Sequence, residues 1–287
     1  IYFLKSVLLN RFYDMKFGFV TCVQLGLSCM EALYNSGLKL DLAVTLPDNK
    51  DKKKSGRVYI DNFCNENKIP LLKSTHVSNA EVIEAISKTN IDWLFIIGWS
   101  QIASQNLLNS TKKGVLGIHP SLLPEGRGRA SIPWTILKKL QKTGVTMFKM
   151  DSGIDTGPIV EQIEISLNDK ITATELYKKV VDAHSLLIKK MTQSIMSGKL
   201  KLTPQDNSKA TIWPGRKPED GEINLKGSIY DAEKLIRAVT HPYPGAFYYQ
   251  NGIKHTIWSA KVLENADLDI KKNNKLQFND GTLLILN

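Results

Sequence analysis

The sequence predicts an α/β protein in two parts, an N-terminal domain built on a parallel sheet and a smaller, β-rich C-terminal domain. Three observations carry this reading. Short apolar runs alternate with stretches of helical spacing over the first ~200 residues, the pattern of strand–helix–strand units with right-handed crossovers. One run, "IDWLFIIGW" (91–99), is apolar almost throughout, as a strand covered on both faces requires. From about residue 204 the texture changes to turns rich in glycine and proline, separated by short strands. The expected boundaries are an upstream extension at 1–14, before Met15, then a sheet domain at 15–203 and a C-terminal domain at 204–287.

Each element follows from its residues. "KFGFVTCVQLG" (16–26) is a buried strand running into the helix "LSCMEALYNSG", which Gly37 ends. "LDLAVTLPD" (40–48) is a second strand and "NKDKKKSGR" (49–57) a basic loop. A helix through "DNFCNENK", the short strand "IPLLKS" and the helix "NAEVIEAISKTN", with acidic residues early, lead to the 91–99 strand. Beyond "VLGIH", "SIPWTILKKLQ" reads as a helix, "TGVTMFKMD" as a strand, and "GIDTGPIVEQIEISL" as a loop entering a further strand. Apolar residues at i, i+3 and i+4 make "TATELYKKVVDAHSLLIKKMTQSIMSG" a long helix stopped by Gly198. In the C-terminal part, "PQDNSKATIWPGRKPEDG" is turn-rich and "YDAEKLIRAVT" helical, and two strand-and-turn stretches close the chain.

Composition narrows the partners. The chain has 287 residues, 42% of them hydrophobic, enough for a sizeable core. No apolar run reaches the ~18–20 residues of a membrane span, and the first residues lack a small-residue cleavage site. Three cysteines without metal-ligand spacing fit a reduced, cytoplasmic chain and no metal. A net charge of +10 favours an anionic partner.

Ligands of open parallel sheets bind outside the carboxyl ends of the strands. The expected strand ends bring Trp99, Ser100, Gln101, His119, Asp151 and Asp155 toward one edge. An aspartate beside an imidazole fixes the ring and favours its charged form, which suits oxyanion stabilisation or proton transfer. Arg127 and Arg129 add positive charge for phosphate or carboxylate. Ser121 lacks the G-x-S-x-G elbow of a nucleophile, and "VTCVQLG" lacks the dinucleotide-binding glycines.

"HPSLLPEGRGR" followed by "GVTMFKMDSGIDTGPIV" resembles the 10-formyltetrahydrofolate-dependent formyltransferases, from about Met15 to Leu200. The resemblance implies a Rossmann-like catalytic domain and one-carbon transfer from 10-formyltetrahydrofolate to an amine, without a metal. It makes His119 and Asp155 catalytic. His119, as imidazolium, would stabilise the oxyanion, while Asp155 orients the ring and helps take the amine proton. Trp99, Gln101, Ile102, Met150, Asp151 and Ile154 would line the pterin pocket, and Ser121, Arg127, Gly128 and Arg129 would face the second substrate. One position departs from the family, which carries asparagine two residues before the histidine where this chain has Gly117. Losing an oxyanion donor costs about 3 kcal/mol, and Ser100 and Gln101 are the expected substitutes.

The acceptor is read from the C-terminal part. "RKPEDGEINLKGSIYDAEKLIRAVTHPYPGAFYY" resembles formyltransferases acting on nucleotide-linked amino sugars, with "PYPGAF" the stronger pointer. Arg237, His241, Tyr243 and Pro244 are expected to brace the domain junction rather than act in catalysis. Methionyl-tRNA formyltransferase is the alternative, supported by the basic charge and the loop at 49–57. Against it stand the shortness of that loop, "RGR" and Gly117 in place of the tRNA enzyme's usual residues, and the stop at "DGTLLILN" where that enzyme continues. A non-catalytic relative that binds folate or a nucleotide-sugar is a further alternative, argued from Gly117. The β-rich domain offers a face for a homodimer.

Overall fold

The computed structural model describes residues 15–50, 56–196, 200–263 and 275–286. The expected extension at 1–14, positions 51–55 of the basic loop and Gly198 lie outside the described residues.

β1 (Phe17–Val20) leads into α1 (Gln24–Asn35), followed by β2 (Leu42–Thr45), α2 (Asp61–Glu66), β3 (Leu71–Lys73), α3 (Ala80–Thr89), β4 (Trp93–Ile96), α4 (Gln105–Asn109) and β5 (Gly114–His119). A two-residue β6 (Arg127–Gly128) and α5 (Ser131–Leu137) precede β7 (Lys142–Lys149), β8 (Ile159–Ser166) and the 24-residue α6 (Ala173–Met196). The remaining elements are β9 (Ile212–Trp213), α7 (Ile229–Val239), β10 (Ala246–Gln250), β11 (Ile253–Ile257), β12 (Ala260–Leu263), β13 (Lys275–Phe278) and β14 (Gly281–Ile285).

The principal sheet has seven strands in the order β3-β2-β1-β4-β5-β7-β8. β1 pairs in parallel with β2 and with β4, β2 with β3, and β4 with β5. Every residue of β1, β4 and β5 is buried, which explains their continuous apolar runs. The chain steps from β1 outward to β2 and β3, then returns past β1 to β4 and β5. The order thus reverses between β1 and β4, the point of an open α/β sheet at whose carboxyl ends ligands generally bind.

The sheet is parallel-dominated, as the strand–helix alternation predicts; β7 departs from it, running antiparallel to β5 and pairing Leu116 with Lys149 and His119 with Thr146. Alternating apolar runs report burial, not strand direction. As a consequence β7 ends beside the first half of β5, where the Met150 N–H donates to the Val115 carbonyl at 2.8 Å. Asp151 therefore follows a strand end at the opposite edge from His119, and the loop after it has to turn back.

The chain divides into two compact units interleaved in sequence. The first comprises the described residues within 1–127, 144–164 and 181–211; the second, those within 128–143, 165–180 and 212–287. One face of the first unit's sheet is filled by Val20, Val44, Ile86, Leu94, Leu107 and Val115, with Trp99 and Met150 packed against them. In the second unit β10 and β11 form an antiparallel hairpin, and β12, β14 and β13 a three-stranded antiparallel sheet. There Arg237 donates from Nε and Nη2 to the two oxygens of Glu233 (2.8 and 3.1 Å) and from Nη1 to the Ile171 carbonyl. The His241 ring stacks on Trp258 at 3.9 Å. Among the described residues no helix is long and apolar enough to cross a membrane.

Candidate active site

His119 is the last residue of β5 and only 8% exposed. Its Nε2 lies 2.7 Å from the Gly126 carbonyl oxygen and its Nδ1 lies 3.5 Å from Asp155 Oδ2. Asp155 sits in the left-handed region, at φ 54°, a conformation aspartate tolerates better than most side chains. Its carbonyl accepts a hydrogen bond from Gln205 Nε2 at 2.8 Å, and the same amide donates to the Gly157 carbonyl at 2.7 Å. The loop before it is folded by Asp151, whose Oδ1 accepts from Gly153 N and from Thr156 Oγ1. Asp151 thus shapes the return that carries Asp155 back to the ring.

The basic turn after His119 is held from the inside. Arg127 is 7% exposed, and its guanidinium donates to Gln205 Oε1 (3.0 and 2.8 Å) and to Asn207 Oδ1 (2.7 Å). Asn207 opens a 3-10 turn capped by Asp206, whose carboxyl the Ser208 side chain and N–H hold below its usual range. Ser121 is buried and donates to the Glu125 carbonyl at 2.7 Å. Gly128 has φ 108°, and a β-carbon there would stand 2.4 Å from the Trp213 carbonyl oxygen, so the β6–β9 pairing requires glycine. Of the four residues expected at the second substrate, Ser121 and Arg127 turn into the protein, Gly128 serves the backbone and Arg129 is exposed.

At the carboxyl end of β4, Trp99 Nε1 donates to Gln101 Oε1 at 2.9 Å. The Gln101 amide also accepts from Val77 N (3.0 Å) and donates to the Thr75 carbonyl (2.8 Å), so it ties the strand end to the loop at 75–77. Ile102 and Ile154 are 65% and 55% exposed, which is unusual for isoleucine and leaves apolar surface uncovered. Ser100, two positions before Ile102, is also exposed.

No polar side chain stands at position 117. Gly117 pairs with Phe148 across β5 and β7, so the two face the same side as His119 and Thr146. The Phe148 ring, 3% exposed, occupies the space above the glycine.

Sequence reasoning did not find Gln205, Asn207, Thr211 or the Gly126 carbonyl. Their side chains and peptides act through contacts across 7 to 85 positions of chain. "TPQDN" carries no periodic signal, and its turn-rich composition reads only as a connection. Among the described residues no cluster of three His, Cys, Asp or Glu side chains has a metal-binding arrangement. What the site does offer is an imidazole beside a carboxylate, both largely screened from water. That pair can exchange a proton and hold positive charge near a forming anion.

Comparison with known proteins identifies the family of the chain. The formyl transferase family model matches residues 27–192, and the model of the formyl transferase C-terminal domain matches 216–286. Methionyl-tRNA formyltransferase of Clostridioides difficile is 29% identical over 281 residues, covering 94% of this chain and 91% of that protein. Among solved structures, the N-formyltransferase of Helicobacter canadensis, in complex with folinic acid and dTDP-3-aminofucose, superposes with a TM-score of 0.69 at 21% identity. That match covers 94% of this chain and 98% of the other. Methionyl-tRNA formyltransferase of Clostridium thermocellum gives 0.61 at 20% identity, covering 88% and 94%.

Proposed function

The chain belongs to the formyl transferase family and is a formyl-transferring enzyme, and from that premise we propose that it moves the formyl group of 10-formyltetrahydrofolate to the amine of a nucleotide-linked amino sugar. The observation that carries the proposal is the 3.5 Å approach of His119 Nδ1 and Asp155 Oδ2. A neutral amine attacks the formyl carbon, and the carbonyl π pair moves onto oxygen. His119 takes the amine proton and so becomes the imidazolium that stabilises the oxyanion, while Asp155 helps that transfer by orienting the ring and balancing its charge. Collapse of the oxyanion breaks the bond to the folate nitrogen, which takes that proton. The uncovered faces of Ile102 and Ile154 suit the flat, weakly hydrated ring system of the donor.

For the acceptor, support comes from the H. canadensis protein, whose complex holds dTDP-3-aminofucose and which this chain follows over nearly its whole length. The 29% identity to the C. difficile enzyme, with a net charge of +10, favours a second reading, methionyl-tRNA. The test incubates the full chain with 10-formyltetrahydrofolate and a panel of 3- and 4-amino-sugar nucleotides and initiator methionyl-tRNA, following release of tetrahydrofolate. Formylation of a sugar nucleotide is expected. Turnover with tRNA alone, weakening steeply with salt, replaces the acceptor. His119→Ala and Asp155→Asn each lower kcat by roughly 10²–10⁴-fold while keeping the wild-type circular dichroism; full activity in either variant removes the pair from the mechanism.

A further inference from the structure

We infer that the Gly126 carbonyl fixes the tautomer of His119, and that Thr211 is a positioning residue acting through that peptide; the inference deepens, and rests on, the reading of His119 as the proton-exchanging group. A carbonyl oxygen has no proton to give. At 2.7 Å, the contact with His119 Nε2 is a hydrogen bond only if Nε2 carries the proton. The opposite tautomer would set two lone-pair atoms against each other at that distance. Asp155 Oδ2 is also an acceptor, but at 3.5 Å from Nδ1 it competes for the proton less well than the carbonyl at 2.7 Å, so the neutral ring keeps its lone pair on Nδ1 and gains the Asp155 contact when that nitrogen is protonated.

The carbonyl is held where it is by its own peptide. Gly126 has φ 73°, which turns the chain in a way an L side chain rarely permits. Its N–H donates to Thr211 Oγ1 at 2.9 Å, and the next N–H, of Arg127, donates to the Thr211 carbonyl at 2.9 Å. Thr211 thus holds the two consecutive peptides that flank Gly126, by its hydroxyl and by its carbonyl, and Ser121 closes the turn on the Glu125 carbonyl.

The proton path follows. As the amine nitrogen bonds to the formyl carbon, its proton passes to Nδ1. The resulting imidazolium has both N–H groups met, Nε2–H by Gly126 and Nδ1–H by Asp155. When the carbon–nitrogen bond to the folate breaks, Nδ1 returns the proton to the departing nitrogen, and the ring regains its starting tautomer. No other proton source is needed.

The tautomer is read directly from long-range ¹H–¹⁵N spectra of the histidine side chains in mildly alkaline buffer, with His119 assigned by its loss in His119→Gln. The wild-type ring is expected to carry its proton on Nε2. Thr211→Val removes the side-chain acceptor at nearly constant shape. It is expected to give a mixture of tautomers and a kcat lower by about tenfold, the worth of one hydrogen bond, with KM for the formyl donor unchanged. Thr211→Ser, which keeps the hydroxyl, restores both. A wild-type ring protonated on Nδ1 overturns the inference, as does a Thr211→Val protein with wild-type spectrum and wild-type kcat. Because the spectra need no turnover, an Nε2-protonated ring in a chain that formylates nothing defeats the functional reading alone.

Discussion

Cε1 and Cζ of Phe148 lie 3.1 and 3.2 Å from the point a β-carbon at position 117 would occupy. Gly117 and the phenylalanine ring are complementary, and together they fill the place where the resemblance led us to expect an asparagine side chain. A side chain at 117 would need the ring to give by a few tenths of an ångström for its β-carbon alone, with Met150 Cγ close by at 3.4 Å. Gly117→Asn is therefore expected to destabilise the protein by about 1–3 kcal/mol through overpacking. Combined with Phe148→Leu, the cost should fall below the sum of the single changes by at least ~0.5 kcal/mol. Urea unfolding of the four proteins in the cycle measures this, and strictly additive costs would show that the two residues do not share the space.

Gln205 joins the two loops of the site. Its oxygen accepts from Arg127, and its nitrogen donates to the carbonyls of Asp155 and Gly157. Gln205→Ala leaves a buried guanidinium with Asn207 as its remaining named partner and releases the left-handed turn at Asp155. The expected loss is about 1–3 kcal/mol of stability, with a kcat reduced more than tenfold and KM for the formyl donor within a few-fold of wild type. A variant that loses stability but keeps full kcat would confine Gln205 to folding.

These two relationships also mark where the sequence was legible. β1, β4 and β5 were readable because a strand buried on both faces leaves an unbroken apolar run, and the helices because their apolar spacing is helical. His119 and Asp155 were nameable because they lie in strongly patterned motifs. The antiparallel return of β7 was not, since burial leaves the same mark on a strand of either direction. Nor were the partners of Arg127: a buried arginine and an exposed one are written alike, and only the fold brings Gln205 within reach across 78 positions. The expectation that Arg127 would face an anion came from its charge, whereas its burial against two amide oxygens depends on three-dimensional proximity.

Gln101 was expected to supply the donor missing at 117. Its amide is instead committed to Val77 N, Trp99 Nε1 and the Thr75 carbonyl. Gln101→Ala is accordingly expected to cost about 1–3 kcal/mol, because the Val77 N–H is left without its partner, and to change kcat by less than threefold. A loss of kcat near a hundredfold with unchanged stability, read from single-turnover formyl transfer and urea melts, would return Gln101 to the reaction.

The stability of the second unit should carry an acid-sensitive component at Asp280. Both of its carboxyl oxygens accept from the Ile229 N–H at the start of α7, and Oδ2 also accepts from Ser228 Oγ at 2.8 Å. The backbone N–H of Ile229, followed by Ser228, holds this carboxyl below its ordinary value of 3.8. A carboxyl depressed on folding contributes stability that is fully present above its unfolded pKa and is lost as the pH falls through its folded pKa. The window thus begins near pH 4 and extends below it. Asp280→Ala should lower the melting temperature at neutral pH by about 2–4 °C. The gap between variant and wild type should then close progressively as the pH falls from near 4 through the lowered folded pKa, where the wild-type carboxyl takes up its proton and accepts more weakly. Thermal melts of both proteins from neutral pH downward test this, and a gap that stays constant through the acid range would mean that the carboxylate charge adds nothing to the cap.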